Sequence, residues 1–113
     1  MTEIISFHDF ETVDIRVGTI ISAKENLKLK KPSIILEIDF GEEIGIKKSS
    51  AQLTKNYKSN DLIKRQVAAV VNFETKQIGN LISEVLVLGF PDPSNEPILI
   101  EPNKMVPNGG KLF

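Results

Sequence analysis

One histidine, no cysteine and a scatter of serines and carboxylates are all that this 113-residue chain offers toward catalysis. His8 stands beside Phe7 and Phe10 near the N-terminus and reads as an incidental terminal residue rather than a general base or metal ligand. Ser49 and Ser50 are adjacent, but no GxSxG elbow surrounds them and no base is evident, so hydrogen bonding is their expected task. Asp39, Glu42 and Glu43 could group around a cation; a solvated hairpin tip accounts for them more simply. The lack of cysteine removes disulfides, thiolate nucleophiles and most zinc sites, and fits a reducing compartment. Neither GxGxxG nor a P-loop is present. The expectation is a non-enzyme with no catalytic residue, no metal and no cofactor.

Lysines and small polar side chains are the better candidates. The net charge is −1, yet its distribution is uneven: residues 1–23 carry −3, residues 24–65 carry +4, residues 74–101 carry −4 and residues 102–113 carry +2. A fold could turn the middle stretch into a basic face, or leave an ordinary mixed surface. Lys28, Lys30 and Lys31 cluster ahead of Pro32, between two strand-like segments. Such a cluster reads equally as a solvated loop and as a set of phosphate contacts. Lys47 and Lys48 are expected to extend the same face. Ser50, Asn72 and Ser83 lie on or near strand segments, where small donors and acceptors either read RNA edges and ribose hydroxyls or satisfy backbone groups. Six Phe and one Tyr, most of the Phe at core parity, are too few for sequence-blind stacking along a single strand.

The elements that must position these groups are mostly strands. Val13, Ile15, Val17, Thr19 and Ile21 alternate with polar or small residues, which predicts a strand with that set buried and with Gly18 at a bulge or bend. Ile34, Leu36, Ile38 and Phe40 predict a second strand. Gly41-Glu42-Glu43 predicts a turn into a third, residues 44–50. A short helix or two helical turns is expected within 51–64, a fourth strand over 66–73, a fifth over 84–88, and a short strand within 97–101. This order suits an all-β, five-stranded Greek-key OB-fold barrel with short helices, one domain over residues 1–113. No apolar run approaches the ~20 residues of a membrane span. The first ten residues lack a signal peptide's basic start, so a cytoplasmic protein is expected.

Five segments, in order and suitably spaced, carry a resemblance: Val13-Asp14-Ile15-Arg16-Val17-Gly18, Ser49-Ser50-Ala51-Gln52-Leu53-Thr54, Val70-Val71-Asn72-Phe73, Ser83-Glu84-Val85-Leu86-Val87-Leu88-Gly89 and Val106-Pro107-Asn108-Gly109-Gly110. Together they closely resemble the CsaA-type export-related chaperones, within the tRNA-binding OB domains also appended to methionyl-tRNA synthetases. The resemblance implies a homodimer that binds tRNA without catalysis and also receives unfolded or exported preproteins. It implies that Ser50, Asn72 and Ser83 are polar contacts, that the loop from Lys28 to Lys31 is a variable basic lip, and that Asp14 and Arg16 are structural. Lys48 stands where glutamine is usual, Lys64 replaces a common glycine, and Glu74 replaces a proline.

Two apolar sets remain. Ile4, Ile5, Phe7 and Phe10, with Leu112 and Phe113, are expected either to form a subunit contact or to plug the barrel bottom. Ile20, Ile35 and Leu86 oppose the core parity and are expected to face outward, where they would serve a protein-binding chaperone.

Overall fold

The computed structural model describes residues 2–26 and 30–113. A six-residue helix, α1 (Phe7–Thr12), precedes the sheet. Its start is fixed by a capping box: Ser6 Oγ accepts from the Asp9 amide at 3.0 Å, and the Asp9 carboxylate accepts from the Ser6 amide at 3.1 Å. The chain then enters β1 (Ile15–Asn26), the longest strand, followed by β2 (Ser33–Asp39) and β3 (Ile46–Ala51). A four-residue helix, α2 (Ser59–Leu62), leads to β4 (Gln66–Val70). Five short strands complete the chain: β5 (Lys76–Ile78), β6 (Leu81–Ser83), β7 (Leu86–Val87), β8 (Gly89–Pro91) and β9 (Pro97–Leu99).

The main sheet has the order β3-β2-β1-β4-β7, antiparallel throughout, and curls into the half-barrel expected of an OB-type fold. β1 makes this possible by serving two neighbours. Its first part, Ile15 to Thr19, pairs with β4, and Thr19 to Asn26 pairs with β2. A register shift between Ile20 and Ser22 marks a bulge, which bends the strand between its two partnerships. The curl brings β3 against residues 83–85. There the Glu84 amide donates to the Lys48 carbonyl at 2.8 Å, and Ser49 Oγ donates to the Val85 carbonyl at 3.0 Å.

The interior is lined by Ile34, Leu36 and Ile38 of β2, with Phe40, Ile20 and Val67, all at most 1% exposed. This reverses the parity expected for the first strand. Gly18 and Ile20 face inward, whereas Val13 and Ile21 are 42% and 45% exposed. Ile20 is therefore not an outward docking residue; it packs opposite Ile38 in the ladder. The alternation misleads because Ile15 and Val17 are also covered, by the C-terminal tail. Val17 donates to Gly110 and accepts from Gly109, and the Leu112 amide donates to the Ile15 carbonyl. The tail is tied down further by Gln66, 4% exposed, whose side chain exchanges two hydrogen bonds with the Val106 backbone.

The bulge, not Gly18, supplies the bend. Gly18 is needed for space, since a Cβ there would lie 2.6 Å from Ile38 Cγ2 and 2.7 Å from Phe40 Cδ1. Lys64 is the opposite case. It adopts φ +76°, a left-handed conformation that a Cβ disfavours. The conformation is held by its amide donating to the Ile20 carbonyl at 2.8 Å, while the Ile20 amide donates to the Arg65 carbonyl at 2.9 Å. Lys64→Gly is expected to raise stability by about 0.5–1 kcal/mol, the left-handed strain less the extra entropy of an unfolded glycine. Urea unfolding midpoints measure this, and a lower midpoint would mean that the lysine side chain contributes more than its backbone costs.

Candidate nucleic-acid interface

The outer surface of β1, β2 and β3 follows from the pleat. With Ile34, Leu36 and Ile38 inward, Ile35, Glu37 and Asp39 face out. The ladder register then sets two rows across three strands. Ser22, Glu37 and Lys48 form one, and Lys24, Ile35 and Ser50 form the next. Lys24 and Lys48 thus share this face in adjacent rows, two strand spacings across the sheet and two residues along it, about 12 Å apart. Lys30 and Lys31 are exposed and enter β2 through Pro32 and Ser33, at the same end of the sheet as Lys24. Lys28 lies outside the described residues.

The sequence pattern does not single out Lys24, because the alternation of the first strand ends near Ser22. Lys24 lies past the bulge, on the outward parity that the bulge resets. Lys47 does not share the face of Lys48, contrary to expectation. Successive residues of a strand point to opposite sides, and Lys47 pairs with Glu84 at 3.8 Å. The other Glu84 carboxylate oxygen accepts from the Lys48 amide at 3.0 Å. Glu84 therefore serves the seam between β3 and residues 83–85. Glu37, directly across the ladder from Lys48, is the acid that offsets the basic face.

The polar candidates divide. Ser50 and Ser83 come together: the Ser50 amide donates to Ser83 Oγ at 3.1 Å, and Ser50 Oγ donates to Ser33 Oγ at 3.1 Å. Ser83 is buried, so Ser50, half-buried, is the member of this set that reaches the surface. Asn72 sits at the other end of β1. Its Oδ1 accepts from the Asp14 amide at 3.0 Å and its Nδ2 donates to the Thr12 carbonyl at 2.8 Å, clipping β4 to the junction of α1 and β1. Asp14 and Arg16 have the structural geometry expected of them. Arg16 Nε donates to Asp14 at 2.6 Å and Nη1 to the Gly109 carbonyl at 2.8 Å. The hydrogen bond to Asp14 raises the Arg16 pKa, against the opposing effect of desolvation.

A second surface lies at the other end of the molecule. An apolar cleft of about 500 Å³ is lined by Ile15, Val17, Ala68, Ile100, Val106 and Leu112, with Phe113 at its edge. Lys111 Nζ donates to the Glu11 carbonyl at 3.0 Å, which holds the tail against α1. Ile4, Ile5, Phe7, Leu112 and Phe113 are all exposed, Ile4 and Phe113 completely. Phe10 is half-buried beside Phe7, with ring centroids 6.4 Å apart. These six residues do not plug the barrel, whose interior is filled from β1, β2 and β4. Among the described residues, no group of three or more His, Asp or Glu converges as metal ligands, and no helix is long and apolar enough to cross a membrane.

A half-barrel with a lysine-bearing outer sheet defines a class of binding domain, and the sequence comparison agrees. Residues 15–111 match the family described as "Putative tRNA binding domain", and the chain belongs to that family. Within it, the likeness extends over whole chains to the CsaA chaperones. The Bacillus anthracis CsaA structure superposes with a TM-score of 0.91 at 47% identity, covering 98% of this chain and 100% of that one. The Picrophilus torridus CsaA structure gives 0.88 at 45% identity, with 97% and 100% covered. The methionine–tRNA ligase of Methanococcoides burtonii is 36% identical over 102 residues, 90% of this chain. That match spans only 15% of the ligase.

Proposed function

We propose that this chain binds tRNA without catalysing a reaction, as a cytoplasmic homodimer. The observation that carries the reading is the outer sheet of β1–β3, where Lys24 and Lys48 share a face beside Lys30 and Lys31, in a domain of the tRNA-binding family. Ammonium groups on flexible stems suit phosphates as point charges. Against the core parity expected of them, Phe7, Phe73, Phe90 and Phe113 are exposed, but none lies on β1, β2 or β3, so this face suits the phosphates of folded RNA better than bases stacked along a single strand. Titration of tRNA against the protein at increasing salt tests this. Saturable binding that weakens steeply with salt is expected, and tRNA binding no tighter than a DNA duplex of equal length would refute it.

The subunit contact is assigned to the exposed Ile4, Ile5, Phe7 and Phe113 and to the apolar cleft that Leu112 helps to line. Exposed apolar side chains of this kind are candidates for a contact between proteins. Two copies related by a twofold axis would cover it and present two basic faces. Light scattering at low micromolar concentration is expected to give twice the 12.6 kDa chain mass. Phe113→Asp combined with Ile4→Asp is expected to halve it. A wild-type monomer would rule the dimer out.

A second reading is favoured by the same cleft and by the CsaA likeness: a chaperone for unfolded polypeptide, including exported preproteins. Competition between tRNA and an unfolded polypeptide separates a shared site from two distinct ones.

A further inference from the structure

We infer that the cleft between β3 and β7 receives one unpaired base of the bound RNA, an inference that rests on the tRNA reading above. The seam that closes the sheet holds only as far as Val85. Beyond it the two strands part, leaving a cleft of about 290 Å³, near the lower edge of the ~300–1,000 Å³ typical of small-ligand sites. Leu53 and Leu99, both buried, lie at its floor, and Leu86, 46% exposed, is at its rim. Ser50, Gln52 and Asn95 add polar groups to its wall. Ser50 also belongs to the lysine-bearing face, so the cleft opens beside the surface assigned to phosphates.

The backbone supplies the recognition. The Leu88 amide donates to the Ala68 carbonyl at 3.0 Å, so the next ladder pair, Ala69 with Val87, is the one without hydrogen bonds. The Val87 N–H and C=O therefore turn away from β4, toward β3. On β3 the Ser50 amide points off β2 to Ser83, and its carbonyl turns the same way. Among the described residues, no hydrogen bond joins Val87 to Ser50 across the cleft. A donor and an acceptor on one residue, beside the apolar side chains of Leu53, Leu86 and Leu99, match a nucleobase: flat apolar faces and a Watson–Crick edge that sets a donor beside an acceptor. All four bases have such an edge, so capture would tolerate sequence, but a paired base has its edge already occupied.

Phosphate does not fit, because among the described residues the lining holds no lysine or arginine and includes Glu96. Strand addition by a peptide does not fit either. It needs a row of free backbone groups, and β7 is only two residues long.

The test uses AMP as probe, followed by amide NMR of the intact protein, with ribose 5-phosphate as control. AMP is expected to shift the Val87, Gln52 and Asn95 amides, and ribose 5-phosphate is not. Leu86→Asn and Gln52→Ala, both at exposed positions, are expected to abolish the AMP shifts. They are also expected to weaken tRNA binding by about 10-fold with an unchanged salt slope. AMP shifts that miss the cleft while tRNA still binds would overturn this inference alone. Equal shifts from ribose 5-phosphate, or cleft shifts from an extended peptide but not from AMP, would overturn it too. AMP in the cleft of a protein that does not bind tRNA would uphold the site and overturn the tRNA reading instead.

Discussion

Gly18→Ala is expected to cost about 1–3 kcal/mol of folding stability, the usual range for one methyl forced into a filled interior. Gly18 is buried on β1, and the new Cβ would meet Ile38 Cγ2 at 2.6 Å and Phe40 Cδ1 and Cε1 at 2.7 and 2.9 Å. Its backbone is in an ordinary region, so the cost is steric and the lower unfolded-state entropy of alanine offsets only part of it. That makes the cost separable. Phe40→Leu removes the ring atoms of two of the three close approaches and by itself leaves a small cavity. The double variant should then be more stable than the sum of the two single effects predicts, by at least about 0.5 kcal/mol, because the added methyl occupies the space the ring vacates. Gly18→Val should exceed the alanine variant in cost. Urea unfolding of the four proteins measures the cycle. Strict additivity would show that Ile38 alone sets the need for glycine.

Which face of β1 lies inside decides that outcome, and the sequence does not reveal it. Residues 13–21 have apolar side chains on the odd positions, and Gly18 and Ile20 on the even ones. Alternation finds a strand, but when both faces are covered it cannot say which covering is the core. Here the odd face is closed by the C-terminal tail, a contact across some 95 residues that no local pattern encodes. β2 is legible because its outward face stays polar. The hairpin of β5 and β6 carries a readable signal, although neither strand is among those expected: Gly79 and Asn80 form a two-residue turn between Ile78 and Leu81, and Gly79 has φ +62°. α1 is also legible in principle, through Ser6 and Asp9 three residues apart.

The candidate site is legible by region more than by residue. The basic middle of the chain does supply the lysines of the outer sheet, and Ser50 stands among them. Lys24 escapes notice because the bulge lies inside a continuous strand and leaves no Gly or Pro to mark it. Asn72 stands out as a polar residue in an apolar run. Its carboxamide is engaged at both ends by the α1–β1 junction, and a single sequence cannot separate that role from a role in binding. The cleft between β3 and β7 is invisible in the sequence, since it is made by backbone groups whose freedom depends on a register.

The lysine face gives the largest functional prediction. Replacing Lys24, Lys30, Lys31 and Lys48 together by alanine should reduce the salt dependence of tRNA affinity by about 0.7–0.9 in slope for each phosphate that no longer meets a lysine. Four such phosphates correspond to a slope change of about 3, or ~10²-fold of the affinity difference between 50 and 200 mM salt. Lys47→Ala is the decisive control. Lys47 is the chain neighbour of Lys48 and has the same charge, but the pleat turns it to the other face, where Glu84 is 3.8 Å away. Its removal should leave the slope unchanged and cost at most about 1 kcal/mol of stability, as for other half-exposed ion pairs. Glu37→Gln should act in the opposite sense and tighten binding, because Glu37 lies across the ladder from Lys48 and opposes the same phosphates. Phosphates seated on a defined sheet face require Lys47→Ala and Lys48→Ala to differ. If the two variants shift the slope equally, tRNA responds to the overall field of the domain, and the outer face of β1–β3 has no special place in recognition.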